Sequence, residues 1–335
     1  MKIAIVTQPL FQNYGGILQN YALQKVLKQL GHQPETIDQP PLIAPLWMFF
    51  LSWIKTILLF FIPGKKRNFA KIPSTKRLPY FESFILKYLN TSNPSKHFSK
   101  RLIRDNHFEA IVVGSDQVWR PKYNHSIENM FLKFTGRHSI KRIAYAASFG
   151  VKKWEFTKIQ TLRCSKLVKL FDAISVREKS GIDLCNKHLG VHADLVLDPT
   201  LLLDKNDYLN LCSNISVKSE SYIAAYILDL NDEIKKLCED VATEKKIPIK
   251  YFSAEKNAKY SLQEWLALFR DASYVVTDSF HGTIFSIIFE KKFNCVYNDD
   301  RGAARFESLL NLYNSGKLEE MRQFSLNWLK KALES

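Results

Sequence analysis

The chain opens with an apolar run, Ile3-Ala4-Ile5-Val6, and then changes period. Ile17, Leu18, Tyr21, Ala22, Val26, Leu27 and Leu30 recur at helical spacing, and Gly31 closes the series. A short unbroken run has the length of a buried strand, and a 3.6-residue period ending in glycine marks a helix with its stop signal. The alternation continues through "FEAIVVGSDQVW", "RIAYAASFG", a helical stretch near 155–170, "DAISVRE" and "ADLVLDPTLLL". A second series starts near residue 221: "YIAAYIL", the helical "NDEIKKLCEDVATEKK", "IPIKYFS", "LQEWLALFRDA", "YVVTDSF", "HGTIFSIIFEK" and "FNCVYN". Strands alternating with helical segments predict parallel sheets covered on both faces.

The polar stretch 204–221 separates the two series, and 335 residues suit two domains of roughly 100–200 residues each. The expected fold is α/β, with two Rossmann-like domains facing a central cleft, over residues 1–205 and 206–315. A terminal helix, 316–335, is expected to pack back on the interface. In open parallel sheets, ligands bind beyond the carboxyl ends of the strands, where helix starts offer free N–H groups.

One segment breaks the alternation. "LIAPLWMFFLSWIKTILLFFIPGKKR", residues 42–67, approaches spanning length, yet strands of one domain precede and follow it, which argues against a crossing. Ser52, Lys55 and Thr56 form a narrow polar stripe beside Trp47, Phe49, Phe50, Trp53, Phe60 and Phe61. That pattern fits an interfacial helix on an anionic membrane surface; a hairpin buried against the domain or in a homo-oligomer is the alternative.

Composition adds a bias in partner. Lys and Arg number 48 against 33 Asp and Glu, a formal charge of +15, which favours an anionic ligand or surface. No helix-turn-helix, zinc-finger spacing or RNA-binding aromatic signature accompanies it, so nucleic acid is not expected. The five widely spaced cysteines, with no Cys-x-x-Cys, read as reduced core residues. No signal peptide is evident at the start, and a cytoplasmic location is expected.

Candidate chemistry collects at the strand ends. His281 follows a strand at the expected start of a helix, whose dipole disfavours imidazolium, and Gly282 leaves the backbone approachable by an anion. Arg177 ends "AISVR" and offers a fork for carboxylate or phosphate, or else pairs with Glu178. Arg301 and Arg305 follow in a loop and on the next helix. Asp116 in "VVGSDQVW" serves as a base toward a hydroxyl, or caps a turn. Gly15 and Gly16 lack the wider G-x-G-x-x-G pattern, so no dinucleotide is expected. The scattered histidines predict no metal site.

"NYGGILQNYALQKVLKQLGH", "IVVGSDQVWRP", "YAASFG", "SVREKSG", "LDPTLLL" and "TDSFHGTIFSIIF" occur in the order and roughly the spacing of the polysaccharide pyruvyl transferase family, which the chain resembles up to about residue 315, apart from the apolar insertion 42–67. The resemblance implies a fold like the B-type glycosyltransferases, with the first domain on the acceptor side and the second on the donor side. It implies transfer of pyruvate from phosphoenolpyruvate, a co-substrate, to a sugar, usually lipid-linked, with no cofactor. His281 and Asp116 are then the catalytic pair. Arg177, Ser279, Gly282, Arg301 and Arg305 bind the donor, and Asn13, Tyr14, Gly15, Gly16, Gln117 and Trp119 the acceptor. Many members carry Arg-x-His-Gly where this chain has Ser279-Phe280-His281-Gly282. A polyprenyl-diphosphate-linked acceptor would place the protein peripherally at the inner face of the cell membrane. The competing readings are a nucleotide-sugar glycosyltransferase of the same fold and a non-catalytic polysaccharide-assembly protein.

Overall fold

A computed structural model describes residues 1–40, 46–58, 76–92, 98–124, 126–136, 139–216, 220–254, 258–297 and 302–335. The first series of elements is β1 (Lys2–Val6), α1 (Tyr14–Gln29), β2 (Gln33–Thr36), α2 (Leu46–Leu58), α3 (Pro79–Tyr88), α4 (Lys100–Asp105), β3 (Ala110–Val113), β4 (Lys141–Ala147), α5 (Lys158–Val168), β5 (Ala173–Val176), α6 (Lys179–Leu184) and β6 (Asp194–Leu195). The second is α7 (Lys205–Leu211), β7 (Ile223–Tyr226), α8 (Asp232–Lys245), β8 (Ile249–Phe252), α9 (Leu262–Arg270), β9 (Tyr274–Thr277), α10 (Phe280–Ile288), β10 (Phe293–Cys295), α11 (Ala303–Asn314) and α12 (Leu318–Glu334).

The strands form two parallel sheets, β2-β1-β3-β4-β5-β6 and β10-β9-β7-β8. This is the expected pair of Rossmann-like domains. Ile3, Ala4, Ile5 and Val6 are all fully buried because helices cover both faces of the first sheet, so the strand is apolar on both sides.

One apolar core runs through both domains. Ile5 and Leu18 of the first, Trp265 and Phe285 of the second, and Leu329 of α12 belong to the same packed cluster. Tyr14 is the seam: its ring stacks on Trp265 at 5.3 Å, and its hydroxyl donates to the Tyr260 carbonyl at 2.6 Å. Tyr80 donates likewise to the Ala258 carbonyl. From the second domain, α12 returns to the first sheet, where Ser325 Oγ accepts from the Leu197 amide at 2.9 Å and Trp328 Nε1 donates to Asp194 at 2.7 Å. These ties fix the two sheets, and the space between them, in one arrangement.

Candidate active site

The carboxyl ends of the central strands face each other across a cavity of about 1130 Å³. Thr7, just past β1, with Asn13, Asp116, Gln117 and Met130 line one side; Tyr226, Asp278, Ser279, His281 and Arg305 line the other. Two helices start at this cavity. Asn13 caps α1, accepting from the Gly16 amide at 3.1 Å, and Ser279 caps α10, accepting from the Gly282 amide at 3.3 Å. A short polar side chain in extended conformation just before an apolar helical run is what an N-cap requires.

Both helix starts depend on glycine. A Cβ on Gly15 would lie 2.0 Å from His281 Nδ1, so the first turn of α1 presses directly against the imidazole of the other domain. A Cβ on Gly282 would lie 2.3 Å from Thr277 Oγ1, which is held in place by donating to the Tyr226 carbonyl. Gly15 serves close packing across the cleft, and Gly282 serves the packing of α10 on its own sheet.

Behind the cavity wall is a buried charge network. Arg177 donates to Asp198 Oδ2 at 2.5 Å, to Asp116 Oδ1 at 3.0 Å and to Ser115 Oγ at 3.3 Å. The alternative reading from the sequence, an ion pair with a nearby acid, holds for Arg177, but the acids are Asp116 and Asp198 rather than Glu178. Successive residues leaving a strand point to opposite sides, and Glu178 instead accepts from Ser148 Oγ and the Phe149 and Gly150 amides. Asp198, which the sequence reading did not single out, completes the network. Its Oδ1 takes the Thr200 amide and hydroxyl, and its Oδ2 faces His281 Nε2 at 3.9 Å.

The network sets protonation. Burial disfavours the Asp198 carboxylate, but Arg177 beside it outweighs this and holds its pKa down to about 2. Asp116 is shifted below the ordinary carboxylate range by the same opposition of burial and Arg177, with His281 and Arg305 assisting. Burial pushes His281 down to about 4, against the pull of Asp198, so the imidazole is neutral at pH 7. Burial, then the neighbouring Arg177, bring Arg305 down to about 10, and it stays charged. The guanidinium carbons of Arg177 and Arg305 each lie 4.9 Å from the Phe280 ring centre, so this aromatic separates two like charges.

The candidate residues divide by position. Asn13, Gly15, Asp116, Gln117, Ser279, His281 and Arg305 reach the cavity. Arg177 sits one layer behind it, its two terminal nitrogens paired with Asp116 and Asp198. Gly282 and Gly16 lend their amides to the helix caps. Tyr14 and Trp119 are fully buried in the core; Trp119 stacks on Phe131 at 4.9 Å and donates to the Met130 carbonyl at 3.1 Å. Neither aromatic reaches the cavity. Arg301 lies outside the described residues. No group of metal-ligating residues occurs among the described residues.

Beyond the expected residues, Asp278 shapes the wall by accepting from the Leu228 and Asp229 amides at 2.7 and 2.8 Å. The β4 strand bulges where Ala146 takes a positive φ of 50°, turning its carbonyl toward Ser115 Oγ at 3.2 Å. Bulges are a common means of re-aiming groups beside a site.

Two parallel-sheet domains closing on a cavity with a neutral histidine, a cavity-facing arginine and two helix starts define a two-domain α/β protein with one polar cleft. A sequence profile described as polysaccharide pyruvyl transferase matches residues 13–300, and the chain belongs to that family. No curated protein matches the sequence significantly. Among solved structures, a protein of Listeria monocytogenes provisionally classed as a UDP-N-acetylglucosamine 2-epimerase is 10% identical, with a TM-score of 0.50 over 100% of this chain and 96% of that one. The Neisseria meningitidis UDP-GlcNAc 2-epimerase bound to UDP-GlcNAc is also 10% identical, with a TM-score of 0.49 over 100% of both chains. The likeness is one of fold: two Rossmann-like domains in the B-type glycosyltransferase arrangement.

Proposed function

We propose that this chain transfers the pyruvyl group of phosphoenolpyruvate to two hydroxyls of a sugar, releasing phosphate and leaving a cyclic ketal. The observation that carries the reading is the convergence of Arg305, the starts of α1 and α10 and the neutral His281 on one cavity. Phosphoenolpyruvate has a carboxylate and a phosphate, which a guanidinium and helix N-termini bind without a further cofactor. Arg305 is the donor anchor on the cavity surface. Arg177 acts through the carboxylates it holds.

In the first step a sugar hydroxyl bonds to C2 as the methylene C3 gains a proton, so the proton lost by oxygen equals the one gained by carbon. In the second, another hydroxyl bonds to C2 while the C–O bond to phosphate breaks; phosphate leaves with the electron pair, and the hydroxyl proton goes to it. His281 is the group that moves protons, and Asp116 orients the attacking hydroxyl. An anionic donor beside the ring favours imidazolium, so His281 gains basicity when the donor binds.

We further place α2 on a membrane surface, where a lipid-linked acceptor would be held. The supporting observation is its outward apolar face, although Lys55 of the expected polar stripe is exposed as well. Phe50 is 64% and Trp53 47% exposed, with Leu51, Ile54 and Ile57 also outward, whereas Thr56 of the expected polar stripe is buried. Among the described residues, no helix is long and apolar enough to cross a membrane.

Thermal-shift titration with phosphoenolpyruvate, UDP, GDP and CMP tests the donor, because a ligand binding only the folded state stabilises it, by about 2.7 kcal/mol at 100 Kd. The expected result is stabilisation by phosphoenolpyruvate alone, lost in Arg305→Gln. Stabilisation by a nucleotide without phosphoenolpyruvate would overturn the reading in favour of glycosyl transfer.

A further inference from the structure

Asp198 stands at the start of a short helical turn, Pro199–Leu201, and its position is over-determined. The Thr200 amide and hydroxyl hold Oδ1 at 3.0 and 2.6 Å, and Arg177 holds Oδ2 at 2.5 Å. Only Oδ2 faces the imidazole, 3.9 Å from His281 Nε2. That nitrogen is buried and has no hydrogen-bond partner. Nδ1 is on the other side of the ring, against Gly15 at the cavity.

A neutral imidazole carries its proton on one nitrogen only, and its partners decide which. With the proton on Nε2, a positive N–H dipole points at the carboxylate. With the proton on Nδ1, an enclosed lone pair points at an enclosed negative charge, which a low-dielectric setting makes costly. We infer that Asp198 is the positioning residue for His281: it fixes the ring with its proton on Nε2, leaving the Nδ1 lone pair to take the proton of the attacking hydroxyl.

The present gap of 3.9 Å exceeds a hydrogen bond, and the surroundings allow it to close. Ser115 Oγ has one proton and two acceptors within reach, the Ala146 carbonyl at 3.2 Å and Asp198 Oδ2 at 3.0 Å. When Ser115 donates to Ala146, a site on Oδ2 opens toward Nε2. Catalytic hydrogen bonds of this kind commonly shorten once a ligand fills the site. The imidazolium that forms as Nδ1 takes its proton is then favoured by the charges of Asp198 and Asp116 and opposed by those of Arg177 and Arg305. Nε2 keeps its own proton throughout, and Asp198 stays ionised.

The catalytic part of this inference rests on His281 being the proton-transfer group proposed above; the tautomer itself does not. NMR of the full chain with isotope-labelled histidine reads the tautomer from the ring carbon shifts, the His281 signal being identified by its loss in His281→Gln. The expected wild-type state is Nε2–H. In Asp198→Asn the carboxamide donates to Nε2, the ring switches to Nδ1–H, and kcat falls on the order of 10²- to 10⁴-fold with little change in KM for phosphoenolpyruvate. A wild-type Nδ1–H ring overturns the inference, and so does a folded Asp198→Asn protein that keeps both Nε2–H and its kcat. If Asp198→Asn fails to fold, the wild-type tautomer decides. A fully active His281→Gln enzyme with an Nε2–H ring in the wild type would overturn only the reaction role of His281, not the hold of Asp198 on it.

Discussion

Two apolar helices in this chain meet opposite fates. In α10 every residue from Phe280 to Ile287 is buried, and even its hydroxyls turn inward, Thr283 donating to the Ser279 carbonyl and Ser286 to the Gly282 carbonyl. In α2 the large side chains of Phe50, Leu51, Trp53, Ile54 and Ile57 face outward while Thr56 is inside. Apolar composition states that a helix prefers to leave water; it does not state what it leaves water for. α10 has a sheet on one side and α1 across the cleft, brought within contact by Gly15 and Gly282. In α2, among the described residues, Phe50, Leu51, Trp53, Ile54 and Ile57 remain 39 to 64% exposed. Its sequence is that of a segment that prefers burial, and the sequence does not name the medium.

The sharpest way to test this contrast is to truncate an aromatic in each helix. Phe285 in α10 is fully enclosed, edge-on to Tyr208 at 5.0 Å and to Trp265 at 5.1 Å. Phe285→Ala is expected to cost about 3–5 kcal/mol of unfolding free energy, from lost transfer energy plus the cavity left behind. Phe50→Ala is expected to change stability by no more than about 0.5 kcal/mol. Urea denaturation of both variants checks the pair, and equal losses would mean that α2 is packed as deeply as α10.

A second, somewhat smaller effect comes from the titratable side chain that α10 carries inward. The pKa of His281 drops from its ordinary 6.5 to about 4 in the folded protein. The unfolded chain therefore binds a proton that the folded one refuses between those values, so stability is full above pH 6.5 and falls as pH drops toward 4. At one pKa unit per 1.36 kcal/mol the loss is about 3 kcal/mol. Denaturation of wild type and His281→Gln between pH 7 and 4.5 isolates it, because the other histidines are common to both. Asp198, depressed to about 2, contributes stability that disappears only at lower pH, as it is protonated there. Parallel pH curves for the two proteins would show that His281 is more hydrated than its enclosure by α1 and Asp198 implies.

The sequence made one half of this site legible and hid the other. Apolar runs that stop at glycine, histidine or arginine mark strand ends, and parallel sheets bring such ends together; Gly15, Asp116 and His281 meet for that reason, and Arg305 joins them from the first turn of α11. Asp198 was hidden because "LDPT" reads as an ordinary turn with an aspartate cap. Its important partners, Arg177, Ser115 and His281, stand 21 to 83 residues away in sequence. Tyr14 and Trp119 misled in the opposite direction. An aromatic beside a polar strand end has the composition of a binding platform, but its rotation about the chain decides whether it faces ligand or core, and both face the core. The same ambiguity governs α2, where residue type alone does not choose among membrane, second copy and own domain.

The smallest expected effect on stability is the one that discriminates best for α2. Phe50→Asp combined with Trp53→Asp replaces two outward side chains with charges that water accepts, so the unfolding free energy should move by about 0.5 kcal/mol or less per site. Flotation with vesicles containing anionic lipid should nonetheless change strongly. Binding of an interfacial helix draws on buried apolar area together with attraction between basic residues and lipid phosphates. The double substitution removes the first and opposes the second, and wild-type flotation should weaken as salt is raised. Equal flotation of the two proteins would exclude α2 as the membrane contact. A stability loss of several kcal/mol would instead show that its outward face is covered in solution, with a concentration-dependent mass in the wild type pointing to a second copy as the cover.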